Sequence, residues 1–539
     1  MKKPAGNVSG LKASQLKSLE DLYFFKTSPD HLVSSDQALA MARLSREIRC
    51  QIAVMINRSG KTEHVIVGDA LGIEIPAIEE YRAVPGRLKG LRCIHTHLGN
   101  DPLSAEDLTD LALLRLDFMA SISVTHNGDV GDIHMGHVLP GQEGPPHVTL
   151  PPITLNGLAM DCLQRIQALE SELTRMDALY SSGDEKEKAM LINAVMDNHL
   201  TAQDSMDELR ELCRSSNIKV VDTLIQRRKK IDPQFVVGRG KLGEIAIRAI
   251  QCHATMLIFD RELYPSQIRS ITDFVEMKVI DRTQLILDIF AHHAKSSEGK
   301  LQVELAQMKY LLPRLVTKNT AMSRLTGGIG GRGPGETKLE INRRRVRERI
   351  ERLTKEIAQI RKQRKQQRSR RNRKGVPVIS IVGYTNAGKS TLLNTLTNST
   401  ILAADRLFAT LDPSSRRLKF PRDIEVIITD TVGFIQDLPD ELMEAFHATL
   451  EELEDADILL HVIDISNPRY EQQMKAVETI IQKLNLEKTP VLHVFNKIDR
   501  IDLEAFDNPW LLRQGFPVSA LDQESLKPLV NKLQSMVLE

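Results

Sequence analysis

The chain has 539 residues, of which 41% are hydrophobic and 27% are charged, and its formal net charge is +1. This composition is typical of soluble globular proteins with several domains. No window of about 18 residues is both apolar and uncharged, so we expect no membrane insertion. The start, "MKKPAGNVSG", lacks the apolar core of a secretory signal. Five scattered cysteines predict reduced thiols in a cytoplasmic protein, which we expect to be a monomer.

The first chemical pattern along the chain is "CIHTHLGNDPLSAEDL", residues 93–108. His95 and His97 alternate at the end of a predicted strand, so both side chains point to one side. Ser104 and Asp107 follow at S-x-x-D spacing. The apolar strand "CQIAVMI" before this pattern and "DFMASISVTHNGDVGDIHMG" after it indicate a small α/β domain.

This H-x-H…S-x-x-D pattern resembles the JAB/MPN metalloprotease-like fold, which includes RadC-type proteins. The resemblance implies a Zn²⁺ site whose ligands are His95, His97 and Asp107. It also implies an upstream glutamate that activates water, for which Glu47 and Glu63 are the candidates. The residue after the second histidine is leucine, where proline is usual. Two interpretations stay open: a zinc hydrolase, and a degenerate binding scaffold in which the histidines are surface residues near a turn.

The middle of the chain is predicted to form helices followed by a second set of strands. Residues 151–206 are predicted to be helices that link the two halves of the chain. "IKVVDTLIQ", "ATMLIFD" and "KVID" are then predicted as strands with helices between them. "VVGRGKLGEI" places Gly238, Gly240 and Lys241 at a helix start. This loop either cradles a second nucleotide phosphate or forms a tight strand-to-helix turn.

Two heptad patterns predict an antiparallel helical hairpin over residues 300–373. Apolar residues recur at spacings of four and three in both halves: Leu301, Leu305, Met308 and Leu312, then Val346, Ile350, Leu353, Ile357 and Ile360. Between the halves lies "GGIGGRGPGE", a Gly-rich loop that can approach another backbone or an RNA surface closely.

The second half of this hairpin is strongly basic. Residues 338–374 hold 17 Lys/Arg and 4 Glu, a local net charge of +13. The outer face is predicted to carry Arg343, Arg344, Arg347 and the run Arg361–Lys374. Such a concentrated basic segment predicts a polyanionic partner, and a solvated helix face is the alternative.

"VPVISIVGYTNAGKST", residues 376–391, reads as a buried strand, a Gly-rich turn and a helix start. Gly383 to Ser390 fit G-x-x-x-x-G-K-S, in which backbone N–H groups close around phosphate oxygens. Lys389 is predicted to reach the β/γ-phosphates and Ser390 to ligate Mg²⁺. Strands and helices alternate after this motif, which predicts a mostly parallel sheet.

Two further stretches fit the phosphate and magnesium side of such a site. "IEVIITDTVG" is a strand that ends in Asp430, predicted to hold Mg²⁺ through water, and Gly433, whose N–H senses the γ-phosphate. Thr410, in "LFATLDP", is the candidate for a first switch that closes on Mg²⁺ and the γ-phosphate. A loop threonine without such a role is the alternative.

Two strand ends predict that the base is guanine. "PVLHVFNKID" ends in Asn496, Lys497 and Asp499, and a carboxylate there accepts both N1–H and N2–H of guanine. In "FPVSA", the backbone N–H groups of Ser519 and Ala520 would meet guanine O6. Each motif alone is also compatible with an ordinary loop, but their order behind a P-loop favours GTP and GDP.

The predicted GTP-binding residues are Gly383, Tyr384, Thr385, Asn386, Ala387, Gly388, Lys389, Ser390, Phe408, Ala409, Thr410, Leu411, Asp412, Asp430, Thr431, Val432, Gly433, Asn496, Lys497, Ile498, Asp499, Val518, Ser519 and Ala520. The predicted Mg²⁺ residues are Ser390, Thr410 and Asp430.

From about residue 207 to 520 the chain resembles the HflX family of translational GTPases. The matching stretches are "VGRGKLGEI", "DRTQLILDIFA", "EGKLQVELAQMKYLLPRL", "GGIGGRGPGETKLE", "GYTNAGKSTLLN", "LFATLDP" and "DTVGFIQDLP". The resemblance implies GTP hydrolysis and binding to the large ribosomal subunit and its rRNA. Several members of this family separate stalled or idle ribosomes. The resemblance therefore also implies a role in ribosome splitting and rescue, recycling or biogenesis.

The predicted fold class is therefore multidomain α/β. The segments are a JAB/MPN-like extension (1–150), a helical linker (151–206), an HflX-type N-terminal α/β domain (207–299), a basic helical hairpin with a Gly-rich loop (300–373) and a GTPase domain with a parallel-type sheet (374–539).

The stretch "DTVGF" leaves the catalytic residue unassigned. Small Ras-like GTPases place a water-orienting glutamine directly after the glycine, and this chain has Phe434 there. Slow turnover is expected until a ribosomal element or a rearranged switch orients the water. Two alternatives remain: a zinc-dependent hydrolase with a regulatory GTPase domain, and an RNA-binding scaffold that binds nucleotide without turnover.

Overall fold

The computed structural model describes residues 2–76, 87–139, 144–181, 187–196, 199–275, 277–315, 338–372, 376–397, 414–419, 425–431, 433–435, 453–502 and 512–538. The chain divides into two compact units. The first comprises Met1–Met190, Lys230–Leu257 and Ser270–Lys278, and the second comprises Leu191–Lys229, Ile258–Arg269 and Val279–Glu539.

The first unit is built on a seven-stranded sheet of order β1-β3-β2-β4-β5-β6-β7. Its strands are β1 (Ala5–Gly6), β2 (Ile52–Asn57), β3 (Thr62–Val67), β4 (Leu91–His97), β5 (Phe118–Val124), β6 (Val130–Val138) and β7 (His147–Ile153). The accompanying helices are α1 (Ala13–Asp21), α2 (Ser35–Ile48), α3 (Ala105–Leu113) and α4 (Cys162–Ser181). The predicted α/β character of this region is confirmed.

Helices cover both faces of this sheet, which buries β4 along its whole length. On one face Met41 of α2 packs with Val54 and Ile94. On the other face Leu111 of α3 packs with Cys93. Residues that alternate along β4 therefore face α2 and α3 in turn, and the set that includes His95 and His97 faces α3.

A four-stranded sheet of order β11-β10-β8-β9 follows. Its strands are β8 (Lys188–Val195), β9 (Lys219–Arg227), β10 (Met256–Phe259) and β11 (Lys278–Asp281), and the helices are α5 (His199–Ser215), α6 (Arg239–Gln251), α7 (Pro265–Val275) and α8 (Arg282–His293). The three predicted strands are confirmed, and Gly238 is the N-cap of α6.

Strand β8 corrects the prediction that residues 151–206 are helical throughout. Its sequence, "KAMLINAV", is rich in alanine, methionine and leucine, which favour helix by intrinsic propensity. The strand lies inside the sheet, and its six central residues are all buried. Tertiary burial on both faces therefore overrides local propensity.

The predicted helical hairpin is present as α9 (Ser297–Arg314) and α10 (Lys338–Asn372). Leu305, Leu353 and Ile357 form its buried centre. Arg349 contacts Glu304 through two hydrogen bonds of 2.7 Å. Arg343 donates to the carbonyl of Leu315 at 3.1 Å, so the helices run antiparallel as predicted. The Gly-rich loop lies outside the described residues.

The C-terminal part is a six-stranded sheet of order β13-β14-β12-β15-β16-β17, in which only β13 pairs antiparallel. Its strands are β12 (Val378–Gly383), β13 (Ser414–Lys419), β14 (Glu425–Asp430), β15 (Ile458–Asp464), β16 (Val491–Asn496) and β17 (Phe516–Pro517), with helices α11 (Lys389–Thr397), α12 (Tyr470–Lys483) and α13 (Lys527–Leu538). The predicted mostly parallel sheet is confirmed, and the carboxyl ends of its parallel strands meet at one edge.

Across the described part of the chain, no helix combines the length and the apolar composition that a bilayer crossing requires. All five cysteines are free, as predicted.

Candidate functional site

The loop after β12 and the first turn of α11 form the phosphate side of the candidate site. Lys389 is buried, and its Nζ donates to the carbonyl oxygens of Gly383 at 3.0 Å and Tyr384 at 2.7 Å. Burial lowers the pKa of Lys389 to about 8, although the nearby Asp430 carboxylate acts in the opposite direction. The result is a buried amine beside a helix N-terminus, an arrangement that favours a phosphate anion.

The P-loop touches the end of β16. Gly388 has φ +94°, and a Cβ at this position would lie 2.3 Å from Nδ2 of Asn496. Asn496 in turn donates to the carbonyl of Ala387 at 2.8 Å. Only glycine fits between the P-loop and this asparagine, which explains the second glycine of the motif.

Ser390 and Asp430 meet at the expected position for a metal ion. Oγ of Ser390 donates to Oδ2 of Asp430 at 2.6 Å, although the two residues are 40 positions apart. A hydroxyl and a carboxylate are the oxygen ligands that Mg²⁺ prefers, so this pair fits the ion. Thr410, the third predicted Mg²⁺ residue, lies outside the described residues together with Phe408, Ala409, Leu411, Asp412 and Val432.

The segment after β14 lies directly against the P-loop. A Cβ on Gly433 would come within 2.7 Å of Cγ2 of Thr385 and 3.0 Å of Nζ of Lys389, so the glycine is required for this approach. The backbone of Phe434 accepts from Thr385 at 2.8 Å and donates to Gly383 at 3.1 Å. The Phe434 side chain is buried, and the hydroxyl of Thr431 bonds back to the carbonyl of Ile381.

Asn496, at the end of β16, joins the two halves of the predicted base pocket. Its Oδ1 accepts from the amide of Ala520 at 2.9 Å, and its Nδ2 donates to the P-loop. Lys497 has φ +68° and pairs with Asp464 at 2.7 Å. Asp464 was missed from the sequence, although it ends the neighbouring parallel strand and so lies at the edge where sites are expected.

A cavity of about 230 Å³ opens beside these residues. The predicted residues that line it are Asn386, Gly388, Asn496, Lys497, Asp499, Ser519 and Ala520. The lining residues that sequence analysis missed are Thr391, Arg500 and Leu521, each adjacent to a predicted motif. Residues from three separate segments thus converge on a cavity next to the P-loop.

A second cluster lies in the first unit, where β4 meets α3. Nε2 of His95 lies 3.0 Å from Nε2 of His97, and the two carboxylate oxygens of Asp107 lie 3.4 Å and 3.5 Å from these nitrogens. One ligand atom from each residue lies within 4.8 Å of the others. Both histidines are buried, which corrects the alternative that they are surface residues near a turn.

The partners of these residues orient them. Nδ1 of His97 lies 3.0 Å from the carbonyl of Asp101, so its Nε2 faces the cluster. Burial lowers the pKa of His97, but hydrogen bonds that the imidazole donates to Asp107 and to the Asp101 carbonyl outweigh it and raise the pKa. For Asp107, burial is outweighed by the two histidines, and its pKa is lowered.

The S-x-x-D spacing also has a structural cause. Ser104 is the N-cap of α3, and its hydroxyl accepts from the amide of Asp107 at 3.1 Å. Asp107 Oδ2 accepts from the Ser104 amide at 2.8 Å. This reciprocal capping box fixes Asp107 on the first turn of α3, facing β4.

Neither predicted upstream glutamate belongs to this cluster. Glu63 pairs with Lys2 and accepts from Asn57 at 2.9 Å, and Glu47 is exposed and accepts from Gln15. The β2–β4 register pairs Ala53 with His95, and its continuation places the buried Gln51 beside His97. The position opposite His97, just before β2, is therefore a glutamine and not a glutamate.

The parallel sheet, the P-loop and the convergent strand ends define a P-loop GTPase. Three family models match the chain: the GTP-binding GTPase N-terminal region at residues 203–291, the GTP-binding GTPase middle region at 293–371 and the 50S ribosome-binding GTPase at 378–497. These matches, with the HflX relatives that follow, show that the chain belongs to the HflX family of GTPases and is an enzyme that hydrolyses GTP to GDP and phosphate.

Relatives in two organisms, both GTPases HflX, support this assignment. The GTPase HflX of Caldanaerobacter subterraneus subsp. tengcongensis is 46% identical over 327 residues, which cover 61% of this chain and 76% of the relative. The GTPase HflX of Escherichia coli K12 is 42% identical over 349 residues, which cover 62% and 81%. A GTP-binding protein of Sulfolobus solfataricus, solved with GDP, is 26% identical and covers 65% of this chain and 99% of its own, with a TM-score of 0.35.

These family models begin at residue 203, so they do not reach the His95–His97–Asp107 cluster. The JAB/MPN resemblance of residues 1–150 and the five segment boundaries stay predictions.

Proposed function

We propose that this GTPase binds GTP with Mg²⁺ at the β12–α11 loop and associates with the large ribosomal subunit during its nucleotide cycle. Lys389 contacts the β/γ-phosphates, and Ser390 with Asp430 holds Mg²⁺. Asp499 accepts hydrogen bonds from guanine, while Asn496 holds the pocket together. The observation that carries this assignment is the convergence of Asn496 with the P-loop and Ala520 around one cavity.

The proposed ribosomal partner is supported by the basic hairpin. Arg344, Arg345 and Arg347 are exposed on α10, outside the seam that contains Leu353. Phosphate contacts from such side chains supply affinity for RNA that falls steeply with salt. Residues 378–497 match the family of 50S ribosome-binding GTPases, which favours the same partner. With this partner, we also propose that the protein acts in the cytoplasm.

The test compares GTP turnover by the full chain alone and with purified large ribosomal subunits. We expect slow basal turnover that the subunit raises at least tenfold. A triple variant, R344Q/R345Q/R347Q, should lose most of this stimulation and reduce the salt dependence of binding. The control, K527Q/K532Q, changes exposed lysines on α13 and should behave like the parent. Turnover that the subunit leaves unchanged would reject the ribosomal partner.

The same experiment separates the scaffold alternative from the GTPase cycle. A cycling GTPase should bind the subunit more tightly with a non-hydrolysable GTP analogue than with GDP. Equal binding in the two nucleotide states would favour a scaffold whose RNA contact is independent of GTP.

A second function, divalent metal binding, is favoured by the His95–His97–Asp107 geometry. Two imidazoles and a carboxylate within 4.8 Å form a ligand set that suits Zn²⁺. The contact from His97 to the Asp101 carbonyl is the outer partner that metal-bound histidines require. Because neither candidate glutamate belongs to the cluster and the position opposite His97 is Gln51, we propose binding and not hydrolysis.

Metal content of the full chain after dialysis against Zn²⁺ tests this proposal. We expect about one equivalent in the parent and a loss of it in H95N and D107N. The control is H134N, a histidine of β6 that does not belong to the cluster. Equal zinc content in the parent and the two cluster variants would reject the site.

A further inference from the structure

A P-loop side chain is bound to a helix far away in the sequence. The hydroxyl of Tyr384 donates to Oε1 of Glu208 on α5 at 2.8 Å, across 176 positions. Both residues are buried. Tyr384 occupies the first variable position of the G-x-x-x-x-G-K-S motif. Its side chain contacts α5 of the same chain through Glu208.

Glu208 is itself held in place by a buried ionic chain. Arg282, the first residue of α8, contacts Glu208 at 3.0 Å and Asp260 at 2.9 Å. Asn193 donates to the other oxygen of Asp260 at 2.9 Å. Buried charges are retained only when they are paired and hydrogen-bonded, so these partners fix the position of the Glu208 carboxylate.

The other end of the contact reaches the phosphate side of the GTP site. The carbonyl of Tyr384 accepts from Nζ of Lys389 at 2.7 Å. The residues on either side of Tyr384 are bonded to the backbone of Phe434. Tyr384 therefore accepts a hydrogen bond from Lys389 through its carbonyl and donates one to Glu208 of α5 through its hydroxyl.

We propose that Glu208 and the Tyr384 hydroxyl position Lys389 for GTP hydrolysis. Glu208 holds the tyrosine ring, the ring fixes the Tyr384 carbonyl, and the carbonyl fixes the direction of the lysine ammonium. The Tyr384 hydroxyl and the Glu208 carboxylate are bonded to each other, so both side chains act through Lys389. The inference rests on the proposed contact of Lys389 with the β/γ-phosphates.

Single-turnover GTP hydrolysis and GDP affinity of the full chain test this inference. Y384F removes only the hydroxyl, and loss of one such hydrogen bond is expected to lower the hydrolysis rate about two- to tenfold. GDP affinity should change less than the rate, because GDP lacks the γ-phosphate that Lys389 reaches. The control is Y470F, which removes a tyrosine–glutamate hydrogen bond of 3.1 Å on the surface of α12 and should leave the rate unchanged.

Variants at Glu208 separate positioning from fold stability. E208Q keeps an oxygen acceptor for Tyr384 but breaks the charge pair with Arg282, so the unfolding temperature should fall while the rate stays within twofold of the parent. E208A removes the acceptor and should lower the rate as Y384F does. If Y384F does not fold, the difference in hydrolysis rate between E208Q and E208A still tests the positioning role.

Two results would overturn the inference: a Y384F rate equal to that of the parent well below the unfolding temperature, or equal rates in E208Q and E208A. K389A serves as the reference for the underlying assignment. If K389A hydrolyses GTP normally, the proposed role of Lys389 fails. If K389A is inactive and Y384F is unaffected, only the positioning role fails.

Discussion

Asn496 accepts a hydrogen bond from the amide of Ala520 at 2.9 Å while it donates to the carbonyl of Ala387 at 2.8 Å. One buried side chain thus ties the P-loop to the loop after β17. Its two hydrogen bonds hold the P-loop and the loop after β17 at a fixed separation, and we expect nucleotide binding to depend on them.

We expect N496A to weaken GDP binding at least tenfold. The substitution leaves a buried amide and a buried carbonyl without their partner, at a cost of about 1–3 kcal/mol for each. Titration with a fluorescent GDP analogue measures the loss. N467A removes a comparable contact to the amide of Arg469 away from the cavity and should bind GDP normally. Equal affinities in the two variants would contradict the role of Asn496.

Base selectivity should depend on Asp499, which lines the cavity on the turn Ile498–Arg500. In D499N one acceptor for guanine becomes an amide donor, which clashes with the guanine N–H groups and suits the extra carbonyl of xanthine. We expect GTP affinity to fall at least 100-fold and affinity for xanthosine triphosphate to rise. Competition binding measures both. D522N, on an exposed turn, is the control, and retention of guanine preference by D499N would rule out this assignment.

Magnesium should strengthen nucleotide binding through Ser390. In S390A the hydroxyl ligand is missing, and the hydrogen bond of 2.6 Å to Asp430 is lost as well. We expect GDP affinity of the variant to become nearly independent of added Mg²⁺, whereas the parent binds more tightly with Mg²⁺ than with EDTA. T395A, on the same helix but bonded to the carbonyl of Ala520, should retain the Mg²⁺ effect. An unchanged Mg²⁺ effect in S390A argues against this ligand.

A glutamine at position 434 should not restore Ras-like turnover. The Phe434 side chain is buried, and its backbone is bonded to Gly383 and Thr385. In F434Q a polar amide would be buried at this position, so we expect a lower unfolding temperature and no rise in basal hydrolysis. F434L controls for loss of the ring. A several-fold faster F434Q would mean that this side chain can turn towards the nucleotide.

Acid stability should depend on His461, a buried residue of β15. Burial, with smaller contributions from His493 and Lys389, lowers the pKa of His461 from 6.5 to about 3. The unfolded chain therefore binds a proton first, and the free energy of unfolding decreases as the pH falls below about 6.5, by about 1.4 kcal/mol per pH unit. Above pH 6.5 this loss is absent.

H461F removes this titration, so its unfolding temperature should drop less between pH 7 and pH 5 than that of the parent. H292N, on the exposed end of α8, is the control and should follow the parent. If H461F and the parent lose equal stability over this range, His461 is not the responsible group.

The sequence predicts a GTP site because the required chemistry is contained in short local patterns, and the site residues stay a prediction. Lys389 and Ser390 lie within one loop and helix start, and Asp430 and Asn496 each end an apolar strand of a parallel sheet. The heptad spacing of Leu305 and Leu353 likewise predicted the hairpin, since periodicity alone selects the face that is buried. The strand at residues 188–195 was missed because helix-favouring residues fill a strand that is buried on both faces.

By itself, the sequence determined the fold class, the P-loop and the identity of the residues at the strand ends. Only the tertiary structure decided that Lys497 pairs with Asp464, that Gln51 lies opposite His97 in the β2–β4 register, and that Tyr384 is bound to Glu208. Local motifs are encoded by spacing along the chain, whereas these contacts join residues on elements that are separate in sequence. Their partners depend on sheet register and helix packing, which no short pattern specifies.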